Sequence, residues 1–141
     1  MSDSRGYNLG LVSIIIPTFN SGRFLAQTVE SVAEQSYRNI EIIIVDDATT
    51  DQSILNLNEM IDRDDRIRVI SNTGAKGACG ARNCGLSHAK GEYVVFHDAD
   101  DLSLPGRLRK QVEYLLEYTD VVGVGSQAYL INGDGQRFGL R

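Results

Sequence analysis

The sequence predicts an α/β fold built on a mostly parallel, doubly wound sheet with helices on both faces. Four short apolar runs are nearly continuous and rich in β-branched residues, at 11–16, 40–45, 67–70 and 93–96. Such runs are typical of parallel strands buried on both faces, so each is expected to lie inside the protein. Helical stretches separate the runs, and the resulting β-α-β-α-β-α-β order indicates a doubly wound sheet.

The helices are predicted at 22–36, 51–63, 78–89 and 105–118. The first, second and fourth carry apolar residues at helical spacing, and the third is made mainly of small residues. Asn20 and Ser21 precede the first helix and are candidates for its N-cap.

The segment after the last helix predicts a short β-structure. Apolar residues recur at 121–125 and 128–131, and an Asn-Gly-Asp-Gly turn signal follows at 132–135. Such a signal between apolar segments favours a hairpin.

Size and composition favour one domain and exclude several classes of protein. The chain has 141 residues and a formal net charge of −5, which argues against a nucleic-acid binder or an anionic-membrane binder. No apolar run is long enough for a transmembrane segment. Cys79 and Cys84 offer no zinc pattern and are expected to be free thiols in a reducing cytoplasm. Residues 1–10 are predicted to be a disordered tail.

Acidic residues follow two of the predicted strands. Asp46 and Asp47 come after the second strand, and Asp98 and Asp100 come after the fourth. Ligands of open α/β sheets bind outside the carboxyl ends of the strands, and clustered carboxylates repel one another unless a cation or hydrogen-bond donors offset the charge. Hard oxygen ligands suit Mg²⁺ or Mn²⁺. The sequence therefore predicts a divalent-cation site that includes Asp98 and Asp100, and the alternative is a solvated turn that caps the last helix.

A glycine-rich stretch follows the third strand. Gly74, Gly77 and Gly80 allow backbone amides to approach a phosphate at the start of a helix. Lys76 and Arg82 add positive charge, and either meets a diphosphate or balances the acids. A plain surface loop with a salt-bridged Arg82 is the open alternative.

Two long segments resemble the nucleotide-sugar half of family 2 glycosyltransferases. They are VSIIIPTFNSGRFLAQTVESVAEQSYRNIEIIIVDDATTD (12–51) and NTGAKGACGARNCGLSHAKGEYVVFHDADD (72–101). The resemblance covers roughly residues 11–125 and includes four motifs in order. It implies a Rossmann-like fold of the GT-A type, with residues 11–141 as the nucleotide-sugar-binding portion and the acceptor half missing.

The resemblance also implies roles around the nucleoside. Pro17, Thr18 and Phe19 would line the nucleoside pocket. Asp47 would accept the N3–H of uracil, and Asp46 would support the same loop.

Further roles implied by the resemblance concern the diphosphate. Arg82 and Lys76 would flank the nucleotide, and Asp98 would touch the ribose or the metal sphere. Asp100 would be the principal ligand of Mg²⁺ or Mn²⁺, which would bridge it to the diphosphate.

The activity implied is transfer of a sugar, with inversion, from a UDP-sugar to a saccharide or a lipid-linked glycan of unknown identity. No catalytic residue is assigned within this chain, because the family's carboxylate base is expected beyond Arg141, and this chain alone is expected to be incomplete for turnover. A cytoplasmic location is expected, with a peripheral position at the inner membrane face and homo-oligomer formation left open.

Three other functions are considered. A nucleotidyltransferase would carry a glycine-rich basic loop after the first strand, where residues 17–20 read Pro-Thr-Phe-Asn. A phosphorylatable receiver domain would need an acceptor Asp after the third strand, where Ile-Ser-Asn-Thr-Gly stands at 70–74. A non-catalytic nucleotide-binding module stays open, because turnover by a longer parent protein is what would distinguish it.

Overall fold

The computed structural model describes residues 8–141, which form two compact units, the first ending at Gly106 and the second spanning Arg107–Arg141. In the first unit the elements are β1 (Asn8–Thr18), α1 (Phe24–Ala33), β2 (Ile40–Asp46), a 3₁₀ turn (Leu55–Leu57), α2 (Asn58–Arg63), β3 (Ile67–Ser71), α3 (Ala78–His88) and β4 (Gly91–Phe96). The second unit contains α4 (Arg107–Glu117), β5 (Tyr129–Ile131) and β6 (Arg137–Leu140).

The first unit is built on a four-stranded parallel sheet with the order β3-β2-β1-β4. Right-handed crossovers place α1 and α2 on one face of this sheet and α3 on the other, because the chain reverses its direction across the sheet after β3. The predicted α/β class and parallel sheet are confirmed. The reversal of strand order lies between β1 and β4, where ligands of such sheets bind.

The face of the sheet that carries α3 is closely packed. Ile15, Ile43 and Val45 form a buried cluster with Ala81 and Cys84 of α3. A Cβ added to Gly85 would overlap with the side chain of Ile15, so this helix lies closer to the sheet than a larger residue would allow. The close packing fixes the position of the start of α3 relative to the strands.

The opposite face of the sheet is equally buried. Side chains alternate along a strand, and the fully buried residues of this face are Ile14, Ile16, Ile42 and Ile44. Helix α1 buries Leu25, Thr28, Val29 and Val32. Burial on both faces explains why β1 and β2 read as continuous apolar runs.

The fourth strand differs from the prediction. Val94 and Phe96 are 38% and 48% exposed, so the expected burial of 93–96 is wrong for these two side chains. The physical reason is position: β4 is one of the two edge strands of the sheet, and its side chains are less covered than those of the central strands β1 and β2.

Two predictions about the start of the chain need correction. Strand β1 begins at Asn8, so residues 8–10 belong to the sheet, whereas residues 1–7 of the predicted tail lie outside the described residues. Helix α1 begins at Phe24, and its N-cap residue, Arg23, makes no side-chain cap hydrogen bond. Asn20 and Ser21 are therefore not its caps.

The second unit contains the predicted hairpin. Strands β5 and β6 pair in an antiparallel arrangement, with the Asn-Gly-Asp-Gly turn between them, which confirms that prediction. The apolar run 121–125 forms no regular element. Helix α4 buries Leu108 and Val112.

Candidate functional site

The carboxyl edge of the sheet in the first unit carries two adjoining pockets. Parallel pairing aligns Thr18 with Asp46 and Asp46 with Ser71, so the loops that follow these strands meet at one edge. The larger pocket has a volume of about 460 Å³ and the smaller about 210 Å³. Pro17, Phe19 and Ala78 line both.

The predicted site residues divide between these pockets. Besides the shared Pro17 and Phe19, the smaller pocket is lined by Thr18 and Asp47, and the larger by Arg82, Asp98 and Asp100. The structure therefore brings seven of the predicted residues together, and Asp46 and Lys76 are not among the residues that line these two pockets.

The loop after β1 forms a wall of both pockets. Thr18 is buried, and its Oγ1 lies 2.7 Å from the Oγ of Ser21. Its carbonyl oxygen accepts a hydrogen bond of 2.9 Å from the backbone N–H of Asp47. Phe19 is 60% exposed, which is unusual for a large aromatic residue and leaves a flat apolar surface at the pocket mouth.

Asn20 holds this loop against the loop after β2, a role that the sequence analysis missed. Its backbone lies in the left-handed region, with φ of 49°, which Asn tolerates better than most residues. Its Oδ1 accepts hydrogen bonds from the backbone N–H groups of Thr50, at 2.8 Å, and Asp51, at 3.2 Å. In the sequence, an Asn beside a Gly-containing turn indicates this contact between the two loops only weakly. The N–H groups that Asn20 binds are about thirty residues away along the chain.

Asp47 organises the glycine-rich loop as well as lining the smaller pocket. Its two carboxylate oxygens accept hydrogen bonds of 2.7 Å from the Nδ2 of Asn72 and of 2.7 Å from the backbone N–H of Gly77. The Asn72 bond, followed by the Gly77 bond and the charge of Lys76, lowers the pKa of Asp47 below its ordinary value. Asp47 is therefore an ionised acceptor at neutral pH, and each oxygen keeps a further lone pair.

Unlike Asp47, which lines the smaller pocket, the side chain of Asp46 makes its hydrogen bond within the turn after β2. Its Oδ1 accepts a hydrogen bond of 2.8 Å from the backbone N–H of Thr49, and its carbonyl oxygen accepts one of 2.8 Å from the N–H of Asn72. Asp46 thus stabilises the turn after β2.

The glycine-rich loop approaches α3 very closely. A Cβ on Gly80 would overlap with the carbonyl group of Ala75, and Gly77, which precedes the helix, has φ of 94°. These two glycines let the loop fold back over the first turn of α3, which places Ala78 at both pockets. Lys76 is exposed on the same loop.

The acidic turn after β4 is anchored through its middle residue. Ala99 is 8% exposed, and its carbonyl oxygen accepts a hydrogen bond of 2.9 Å from the Oγ1 of Thr28 on α1. This anchor leaves Asp98 and Asp100 exposed at the larger pocket. Thr28 is a second residue that sequence analysis missed, because its partner is 71 positions away.

The alternative interpretation, a solvated turn that caps the last helix, stays a prediction. Helix α4 begins only at Arg107. Ser103 is buried, and its Oγ lies 2.9 Å from the Nε2 of His97.

Asp98 and Asp100 place two carboxylates at the larger pocket, which is fewer protein ligands than a closed metal site has. Among residues 8–141, no group of three or more His, Cys, Asp or Glu side chains is placed to hold a metal ion. Mg²⁺ is commonly bound by one or two carboxylates together with substrate phosphates. The donor set therefore fits a cation that arrives with a phosphate-bearing ligand.

The helices and the cysteines of the described residues can also be compared with the predictions. No helix in the described part of the chain is both long and apolar enough to cross a membrane. Cys79 is exposed and Cys84 is buried, and both are free thiols.

Comparison with known proteins gives one family model and a set of relatives named as glycosyltransferases. The model of the family described as "Glycosyl transferase family 2" matches residues 13–140. An Escherichia coli protein named UDP-Glc:alpha-D-GlcNAc-diphosphoundecaprenol beta-1,3-glucosyltransferase WfaP is 45% identical over 105 residues, which are 74% of this chain and 41% of that protein. The chain spans about half the length, or less, of the curated relatives it matches.

Solved structures show a similar fold. S. aureus TarS 1–349 in complex with UDP has a TM-score of 0.69 and 28% identity, covering 77% of this chain and 32% of TarS 1–349. The mannosyltransferase PcManGT from Pyrobaculum calidifontis, in complex with GDP-Man and Mn²⁺, has a TM-score of 0.67 and 29% identity, covering 74% of this chain and 32% of PcManGT. The four-stranded parallel sheet, the position of its two pockets and the match over residues 13–140 lead to one conclusion: the chain belongs to glycosyl transferase family 2.

Proposed function

We propose that this chain is the nucleotide-sugar-binding portion of an inverting glycosyltransferase that uses a UDP-sugar and a divalent cation. The observation that carries the proposal is the pair of adjoining pockets. One presents an ionised acceptor, Asp47, and the other presents two exposed carboxylates, Asp98 and Asp100. A nucleoside diphosphate has a base at one end and phosphates at the other. Its base would occupy the smaller pocket with Asp47, and its phosphates would occupy the larger pocket with Asp98 and Asp100.

The smaller pocket suits a flat base. Pro17, Phe19 and Ala81 supply apolar surface, and Asp47 supplies an acceptor. Uracil carries a proton on N3, so its edge pairs with a carboxylate through a charge-assisted hydrogen bond. Cytosine has a bare lone pair at N3 and would meet Asp47 acceptor to acceptor.

The larger pocket suits the diphosphate. Asp98 and Asp100 would hold Mg²⁺ or Mn²⁺ together with phosphate oxygens, Arg82 lies beside them, and the exposed Lys76 would flank the nucleotide. When bound, the cation would act as a Lewis acid that neutralises the departing UDP. The roles of Asp98 at the ribose or the metal and of Asp100 as the principal ligand are part of this proposal.

The comparisons support the choice of donor and cation. The name of WfaP specifies UDP-Glc and TarS was solved with UDP, which supports a UDP-sugar, whereas PcManGT was solved with GDP-Man and Mn²⁺ and supports only the cation. The acceptor is proposed to be a saccharide or a lipid-linked glycan, as the name of WfaP indicates for that relative. We also propose a cytoplasmic location.

The proposed function is tested by thermal unfolding in the presence of nucleotides. UDP is expected to raise the unfolding temperature when Mn²⁺ or Mg²⁺ is present, because a ligand that binds only the folded state stabilises it by mass action. In excess chelator the shift should be much smaller. Matched samples with CDP, GDP and ADP establish the preference for the base. No stabilisation by UDP with either cation would overturn the proposal, and an equal shift in chelator would remove the role of the metal.

Asp47→Ala is expected to weaken UDP binding roughly 10- to 100-fold, the usual range for loss of a hydrogen bond to a charged group. It should also narrow the difference in affinity between UDP and CDP, because a site built to bond one edge of a base rejects an analogue that lacks it. Calorimetric titration of both nucleotides measures the two effects. Asp46→Ala is the comparison variant: its carboxylate accepts a hydrogen bond from the backbone N–H of Thr49 and lines neither pocket, so it measures the effect of weakening the turn without removing the acceptor in the pocket.

A pH series adds a second readout for Asp47. Its lowered pKa means that the folded protein keeps the carboxylate ionised at pH values where an ordinary Asp, with a pKa of about 3.9, is partly protonated. The stabilisation from Asp47 is therefore complete above that ordinary pKa and is lost as the pH falls below it, through the folded-state value. The difference in unfolding free energy between the wild type and Asp47→Ala should shrink as the pH falls through the same range. An unchanged UDP-to-CDP ratio in Asp47→Ala would show that Asp47 only shapes the loop.

A further inference from the structure

Arg82 is paired with one of the two carboxylates that the proposed cation needs. Its Nη2 lies 2.7 Å from the Oδ1 of Asp98, and both residues line the larger pocket. Arg82 projects from α3 and Asp98 from the turn after β4, so the pair spans the point where the strand order reverses.

The ion pair is not a strong structural link. The side chains of Arg82 and Asp98 are 36% and 59% exposed, and pairs as open to water as this are individually weak. Moreover, the Nε of Arg82 is buried without a hydrogen-bond partner among the described residues. A buried donor without a partner is unfavourable, so the guanidinium is incompletely satisfied in this position.

A divalent cation and the guanidinium of Arg82 would compete for the negative charge of Asp98, whose Oδ1 accepts the bond from Arg82. A divalent ion at Asp98 and Asp100 would meet a carboxylate that already has a partner, with a positive guanidinium close by. A diphosphate brings the opposite charge into the same pocket, and the planar fork of Arg matches phosphate oxygens well.

We propose that Arg82 is an exchangeable counterion, which pairs with Asp98 in the nucleotide-free protein and transfers to the diphosphate when a divalent cation takes its place at Asp98. This inference rests on the proposed function of the site. It gives Arg82 two successive partners and makes binding of the cation and of the nucleotide depend on each other. The free carboxylate is the better cation ligand, and the free guanidinium is the better phosphate ligand.

The exchange predicts effects of opposite sign from one substitution. Arg82→Gln should strengthen binding of Mn²⁺ alone by roughly two- to fivefold, since an exposed ion pair that competes with the ion is removed. The same substitution should weaken binding of UDP in saturating Mn²⁺ by roughly tenfold or more, since a charge-assisted bond to phosphate is lost. A purely structural role for Arg82 would weaken both.

Mn²⁺ binding is measured by the relaxation of water protons, and UDP binding by calorimetry. The fraction of Mn²⁺ binding that disappears in Asp100→Asn defines the binding at this site. Arg82→Lys keeps the positive charge but not the fork, so Mn²⁺ affinity should stay near that of the wild type while UDP affinity falls.

Arg63→Gln is the matched control. It removes another exposed ion pair, that of Arg63 with Glu59 on α2, and neither residue lines the pockets. It should change neither affinity.

The outcomes separate this inference from the function on which it rests. If wild-type protein binds UDP with Mn²⁺ but Arg82→Gln leaves Mn²⁺ affinity unchanged or lowers it, the exchange is wrong and the proposed function stands. Strengthened Mn²⁺ binding with unchanged UDP affinity also overturns the exchange, since Arg82 would then not reach the diphosphate. Absence of UDP binding by the wild type overturns both. Thermal unfolding of each variant establishes that it is folded.

Discussion

Asp100→Asn is expected to abolish the metal-dependent part of UDP binding, with a loss of affinity of roughly 100-fold or more in saturating Mn²⁺. Loss of the outer-shell partners of a metal already lowers affinity about 10- to 100-fold, and Asp100 is proposed to contact the cation directly. The amide retains the shape of the side chain but removes the charge. Calorimetric titration with UDP, in Mn²⁺ and in chelator, measures the difference.

Asp100→Asn should not lower the stability of the folded protein. Asp100 is exposed, and the turn that carries it is anchored by the burial of Ala99 and by its bond to Thr28. Removing one carboxylate also reduces repulsion with Asp98. The unfolding temperature without ligand should therefore stay the same or rise slightly.

Asp101→Asn is the matched control for charge. Asp101 is the next residue and is also exposed, but it does not line either pocket. Its variant should bind UDP with Mn²⁺ as the wild type does. If Asp100→Asn retains Mn²⁺-dependent binding while Asp101→Asn loses it, the metal ligand has been assigned to the wrong carboxylate.

The parts of the fold that sequence predicts well are those set by short-range patterns. Strands β1 and β2 are buried on both faces, so their sequences are unbroken apolar runs. The ends predicted from these runs lie within a few residues of the observed strand ends. The exposure of Val94 and Phe96 in β4 could not be predicted in this way. Whether a strand lies at the edge depends on the order of the strands in the sheet, which local composition does not encode.

The same distinction holds for the site. Carboxylates after strand ends are visible in the sequence because parallel strands bring their carboxyl ends to one edge. Asn20, Thr28 and Asn72 were missed because each acts through a partner in a distant part of the chain. Amide and hydroxyl side chains are common in loops, so their residue types alone do not distinguish a bond between loops from ordinary solvent exposure.

Gly80→Ala is expected to have the other large effect, on stability and on UDP binding together. Alanine favours a helix interior by about 1 kcal/mol over glycine, and Gly80 lies inside α3. However, the added Cβ would overlap with the carbonyl group of Ala75, which is backbone and cannot rotate away. Overpacking of this kind typically costs about 1–3 kcal/mol and occasionally more, so we expect net destabilisation.

The loop rather than the helix should move to relieve this overlap. Helix α3 is fixed by the close approach of Gly85 to Ile15 and by the buried Ala81 and Cys84. Displacing the loop that contains Ala75 would break the hydrogen bond from Gly77 to Asp47, which lowers the pKa of that carboxyl. UDP affinity should therefore fall.

Gly74→Ala is the matched control on the same loop. A Cβ there would lie 3.5 Å from the Oδ1 of Asn72 and 4.0 Å from the carbonyl oxygen of Gly80, which are ordinary contacts. Its stability should change by less than about 0.5 kcal/mol. Urea unfolding measures the stability of both variants, and calorimetric titration measures their affinity for UDP. If Gly80→Ala matches Gly74→Ala in both measurements, the loop adapts freely, and its close approach to α3 does not position Asp47 for the base.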